Sequence, residues 1–185
     1  MPTQPGNGFN HQIHAGKLGI DCRYCHTDVE RSAEANVPSV STCMNCHAPG
    51  RVSKTIVPDE KVQFIRDAYK TDASIPWRRI HKLPDYVRNF PHHVHINAGV
   101  SCFSCHGQVE SMTEVYQVKG LGMGWCLDCH RNPKTQLVPK DKVTDLLWVE
   151  DELKARAHGE GSINPDELVA MLRNSPPQSC GACHQ

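Results

Sequence analysis

The chain has 185 residues, in which 20 Lys and Arg balance 20 Asp and Glu to a formal net charge of zero. That balance argues against nucleic acid or a general anionic membrane surface as the partner. Hydrophobic residues reach only 38% and aromatics 6%, beside 13 Gly and 13 Pro, so a polypeptide core of ordinary size is not expected.

In chain order, the first feature is Phe9-x-His11-x-x-His14, followed by Cys22-x-x-Cys25-His26, Val29-Glu30 and Cys43-x-x-Cys46-His47. The same order returns as Phe90-x-His92-x-x-His95, Cys102-x-x-Cys105-His106, Val109-Glu110 and Cys126-x-x-Cys129-His130. Seven against six residues precede the first motif, and sixteen against nineteen separate the two motifs. Matching anchors at matching gaps read as an internal duplication. A fifth copy, Cys180-x-x-Cys183-His184, ends the chain, so the five motifs hold all ten cysteines.

Cys-x-x-Cys-His is the signature of c-type haem attachment. Two thiols on one helical turn form thioethers to the two haem vinyl groups, and the adjacent His reaches the iron. Zinc pairs and thioredoxin-type dithiols use paired cysteines without a His directly after the second. The cofactor is therefore read as five haem c, bound through Cys22, Cys25, Cys43, Cys46, Cys102, Cys105, Cys126, Cys129, Cys180 and Cys183. The proximal ligands are His26, His47, His106, His130 and His184. The expected fold class is mostly α with extensive loops, cored by haem, as two duplicated dihaem modules plus a C-terminal fifth haem.

Between the modules, Pro58-Asp59-Glu60 opens a helix to about Thr71 with Val62, Ile65 and Tyr69 on one stripe. A proline-bounded extended segment, 74–84, follows. Past the second module, Asp141 to about His158 reads as an amphipathic helix with Val143, Leu146, Leu147 and Leu153 inward. Asn164-Pro165-Asp166-Glu167 then caps a helix carrying Leu168, Met171 and Leu172, with Met171 read as helix core. No strand pattern stands out. The organisation is thus 1–48 first dihaem module, 49–89 linker, 90–132 second dihaem module and 133–185 helical segment with the fifth motif.

A six-coordinate haem needs a second axial His or Met. Seven histidines remain: His11, His14, His81, His92, His93, His95 and His158. The repeat supplies His11, His14, His92 and His95, each pair divided between two haems, and His81 in the linker is the fifth choice. His93 breaks the repeat and His158 suits a helix C-terminus; both are secondary alternatives, as are Met112 and Met123. Mostly bis-His ligation keeps potentials lower than His/Met ligation would. With a distal candidate for every iron, a His in each proximal position and a short chain, no catalytic residue and no substrate site of its own is expected. The chain reads as an electron-transfer protein and not an enzyme.

The stretch Phe9-Asn-His-Gln-Ile-His-Ala-Gly-Lys-Leu-Gly-Ile-Asp-Cys-Arg-Tyr-Cys-His resembles the opening of the pentahaem cytochrome c subunit of bacterial alternative complex III. Val37-Pro-Ser-Val-Ser-Thr-Cys-Met-Asn-Cys-His, Ile75-Pro-Trp-Arg-Arg-Ile-His-Lys-Leu-Pro-Asp and Met123-Gly-Trp-Cys-Leu-Asp-Cys-His-Arg extend the resemblance over about residues 9–131. Weaker similarity reaches multihaem class III cytochromes and the haem subunits of related quinone reductases. The resemblance implies a hetero-oligomeric membrane quinol:acceptor oxidoreductase of respiratory or photosynthetic chains. There the chain would take electrons from an iron–sulfur subunit, fed by integral membrane quinol-oxidising subunits. It would pass them to a monohaem cytochrome c, a soluble carrier or a terminal oxidase. The alternative is a soluble periplasmic pentahaem shuttle to a reductase such as nitrite reductase. Either role places the chain in the periplasm or on the outer face of the cytoplasmic membrane. The sequence carries no basic and apolar leader and no run of about 18 apolar residues, so association through partners, or an N-terminal anchor missing from this sequence, is expected.

Overall fold

The computed structural model describes residues 8–85, 87 and 90–184. The stretch 1–7, where a leader or anchor would begin, lies outside the described residues, as does the end of the linker at 88–89. Among the described residues, eight α-helices carry the fold: α1 Cys22–Cys25, α2 Val40–His47, α3 Asp59–Lys70, α4 His92–Ala98, α5 Cys102–His106, α6 Met123–Arg131, α7 Leu146–Ala157 and α8 Pro165–Ala170. A π-helical turn, Gln12–Lys17, precedes them, and short 3₁₀ turns include Val109–Ser111, Lys140–Lys142 and Cys180–Ala182. The described residues contain no strand, only an isolated bridge between Val100 and Leu137. None of their helices is long and apolar enough to cross a membrane.

Four of the Cys-x-x-Cys motifs lie on α-helical turns and the fifth on the 3₁₀ turn. Helices of four or five residues do not persist alone, so caps and neighbours hold them. Asp21 accepts the Arg23 N–H at 2.8 Å to start α1, and Ser101 accepts the Phe103 N–H at 3.1 Å to start α5.

Apolar packing is thin, as composition foretold. One cluster joins Val29, Ile96, Val138, Val143 and Val149, with Cys102, Phe103, Trp148 and Leu153 against it. It draws on both proposed modules and the C-terminal segment together. A second cluster joins Val62, Ile65 and Ile75, with Val40, Cys43, Met44 and Trp77 at its edge. Gly99 seals the first cluster: its φ is +92°, and a Cβ there would lie 2.5 Å from the Val138 carbonyl oxygen.

The two Phe-x-His-x-x-His segments dock reciprocally. The Gln12 N–H donates to the Met112 carbonyl at 3.1 Å, and the His93 N–H donates to the Ser32 carbonyl at 3.1 Å. Gln12 and His93 hold the same place in the two halves, as do Ser32 and Met112. One turn further, Gly16 packs on the Glu110 carbonyl so closely that no Cβ would fit, while Asn97 donates to the Glu30 carbonyl at 2.9 Å. The contact pattern is that of a local two-fold.

Several sequence expectations need correction. The linker helix spans Asp59–Lys70 with Val62 and Ile65 buried, but Tyr69 is exposed. α7 starts at Leu146 instead of near Asp141, because Asp145 caps it by accepting the Trp148 N–H at 3.3 Å; Leu147 then faces outward. α8 starts on its Asn164 cap but ends at Ala170, where the Met171 N–H closes back on Glu167 and Leu168. Met171 is therefore 74% exposed and no part of a core.

Candidate haem-binding sites

Phe9 and Phe90 organise the two His pairs in the same way. Phe9 stacks on His14, with centroids 4.5 Å apart and planes at 25°, and meets His11 edge-on at 4.7 Å and 89°. Phe90 stacks on His95 at 4.4 Å and 19°, and meets His92 edge-on at 5.1 Å and 87°. One phenyl ring therefore fixes two imidazoles at nearly right angles, so that each faces a different direction.

The second His of each pair confronts the second motif of its own half. His14 and His47 have ring centroids 6.0 Å apart, and His95 and His130 have theirs 6.1 Å apart. An imidazole nitrogen binds a metal at about 2.0–2.1 Å, and the ring centroid lies roughly 1.1 Å behind that nitrogen. Two imidazoles on opposite faces of one iron thus have centroids about 6.3 Å apart. Both observed separations match that distance.

Proton placement favours ligation too. The Nδ1 atoms of five histidines contact backbone carbonyls: His14 on Asn10 at 2.8 Å, His26 on Asn36 at 2.7 Å, His92 on Ala33 at 2.7 Å, His95 on Pro91 at 3.0 Å and His130 on Pro177 at 2.5 Å. A carbonyl only accepts, so Nδ1 carries the proton and Nε2 keeps a lone pair for a metal. Asn36 presents its carbonyl from a left-handed backbone, φ 70°, which Asn tolerates better than most residues.

Burial favours the neutral ring at His11, His47, His81, His95 and His106. It lowers the pKa of His11 to about 4, helped by nearby His26 and His14. Burial takes His106 to about 3, with His81, His92, His26 and His11 adding repulsion. His47, His81 and His95 shift down for the same first reason. All ten cysteines are free. Burial pushes the Cys105 thiol up to about 12 and raises Cys25, Cys43, Cys126 and Cys129. Cys22 shifts the other way, lowered chiefly through Cys102.

His81 meets His106 edge-on at 4.1 Å, closer than an axial pair, and its buried Nε2 has no hydrogen-bond partner. Buried Nδ1 atoms of His47 and His93 are likewise unpartnered. His184 closes the final turn, its N–H donating to Cys180 at 2.9 Å. Met112 is buried at the docking contact and Met123 is 54% exposed; His158 sits exposed at the end of α7. The sequence reading did not assign the roles of Phe9, Phe90 or the carbonyl acceptors. Phe-x-His-x-x-His flagged the phenylalanines, but a carbonyl's role leaves no mark on residue type.

No protein-family model matches the chain. Over 98 residues it is 30% identical to the multihaem cytochrome c subunit of menaquinone reductase from Nitratidesulfovibrio vulgaris (strain Hildenborough). The chain resembles a multihaem cytochrome c. The match covers 53% of this chain and 43% of that relative, so the chain spans less than half of the relative's length. The similarity supports c-type haems and an electron-transfer role within a complex, which is what the imidazole pairs and cysteine motifs fit.

Proposed function

We propose that the chain is an electron-relay subunit carrying five c-type haems in a membrane quinone oxidoreductase complex. The observation that carries this reading is the pairing of imidazoles at 6.0 and 6.1 Å, each pair ending on a Cys-x-x-Cys-His motif. Haem iron, when bound, supplies one-electron oxidation and reduction. The ten cysteines anchor it, and His26, His47, His106, His130 and His184 ligate it from one side. His14 and His95 face His47 and His130 from the other side, and His11, His81 and His92 are the remaining distal ligands, His81 packing on His106. The backbone carbonyls at Asn10, Asn36, Ala33, Pro91 and Pro177 hold the Nδ1 protons of His14, His26, His92, His95 and His130 in place.

Within this reading we assign the chain to the alternative complex III type of assembly, on the outer face of the cytoplasmic membrane. The resemblance of its linker, Ile75-Pro-Trp-Arg-Arg-Ile-His-Lys-Leu-Pro, supports the assignment. Electrons would arrive from quinol by way of the iron–sulfur subunit, then leave to a cytochrome, soluble carrier or oxidase. The similar Nitratidesulfovibrio protein is named for menaquinone reduction, so quinone chemistry is common to both lines of support, while the direction of flow is taken from the resemblance. Mild detergent extraction of native membranes, a native gel, haem staining and mass spectrometry of the stained band test this. Co-migration with iron–sulfur and polytopic membrane subunits is expected. A free band of the chain alone would replace the reading with a periplasmic shuttle.

A further inference from the structure

We infer that the five attachment sites form one linear row in the spatial order second, first, third, fourth, fifth: Cys43–Cys46, Cys22–Cys25, Cys102–Cys105, Cys126–Cys129, Cys180–Cys183. The inference rests on the five-haem reading above and deepens it, because sequence order would place the first site at the end of the row.

Each link has its own contacts. Second to first: Asn45, inside the second motif, donates to the hydroxyl of Tyr24, inside the first, at 3.0 Å. The turn Gln12–Lys17 and its cap carry His11 and His14 together, and His14 faces His47 of the second motif at a centroid distance of 6.0 Å. First to third: the two motifs are pinned by neighbouring residues of one segment. The Ser101 hydroxyl and the Cys102 N–H both donate to the Val143 carbonyl, at 2.7 and 3.3 Å. Thr144 bonds Asp21, the residue before Cys22, at 2.9 Å.

Third to fourth: α4 carries His92 and His95 three residues ahead of the third motif's helix Cys102–His106, and its His95 faces His130 of the fourth motif at a centroid distance of 6.1 Å. Fourth to fifth: the His130 Nδ1–H donates at 2.5 Å to the carbonyl of Pro177, three residues ahead of Cys180. The second site is an end of the row for a positive reason: Cys43 and Met44 pack on the linker cluster of Val62, Ile65 and Ile75. A two-fold that sets the first sites of both halves face to face must send their second sites outward. The linker therefore covers one end of the row and the C-terminus the other, and these ends are where electrons enter and leave.

The test is an iron-position map of the haem-loaded full chain, by anomalous diffraction or cryo-electron microscopy, with haem content counted on the same sample by intact mass. The expected result is five haems, with the first iron flanked by the second and third. Five haems with the second iron flanked by the first and third would overturn the order and leave the relay reading standing. Fewer than five covalent haems would overturn the relay reading itself.

Discussion

Replacing His14 by Ala removes one imidazole of a pair whose centroids are 6.0 Å apart. The partner His47 and both cysteines of its motif stay, so covalent attachment should be complete. On the five-haem reading proposed above, what changes is the sixth ligand of one iron in five. His14 is held by its bond to the Asn10 carbonyl and by Phe9 at 4.5 Å, and a phenyl ring offers no donor in its place. One haem should become high-spin and the other four stay low-spin, so about one fifth of the ferric iron changes spin state. His14→Met should instead keep six-coordination and raise that haem's potential by on the order of 0.1 V or more, within the roughly 0.8 V that axial ligands span. Electron paramagnetic resonance with a potentiometric titration of the fully loaded protein reads both. Five low-spin haems in His14→Ala, with an unshifted titration in His14→Met, would refute the pairing.

Further predictions follow from other parts of the fold. His81→Ala should likewise give one high-spin haem, whereas His158→Ala should leave all five low-spin; optical spectra at constant haem content check both. Replacing Met112 or Met123 should shift no potential, and the near-infrared spectrum of the native protein should lack a methionine-to-iron band. Gly99→Ala should cost about 2 kcal/mol in denaturant unfolding, since it adds a Cβ at φ +92° against the Val138 carbonyl. Burial pushes the Glu152 carboxyl up, but bonds from Ser162, Arg156 and Ile163 outweigh it and hold its pKa at about 2, against an ordinary 4.5. Its stabilisation is thus complete above about pH 4.5 and fades as the pH falls toward 2. Glu152→Gln should flatten that part of the stability profile.

The cysteine motifs stand out in the sequence because the same residue types recur at the same spacing. The Phe-x-His-x-x-His pairs were legible for the same reason, and the linker helix showed through its acid-rich first turn. Tyr69, Leu147 and Met171 were misjudged because helical periodicity gives a stripe and not its outer limit. Asp145 outcompeted Asp141 as a cap, which moved the start of α7. The docking of each His segment on the opposite half was not legible. It is made by backbone groups of Gln12, Ser32, His93 and Met112, whose side chains carry no shared signal.

The most direct measurement is the intact mass of the mature chain, with each attachment peptide located after proteolysis. The relay reading predicts five haem additions, one on each Cys-x-x-Cys-His motif. Any motif recovered with two free thiols in the mature protein would contradict it.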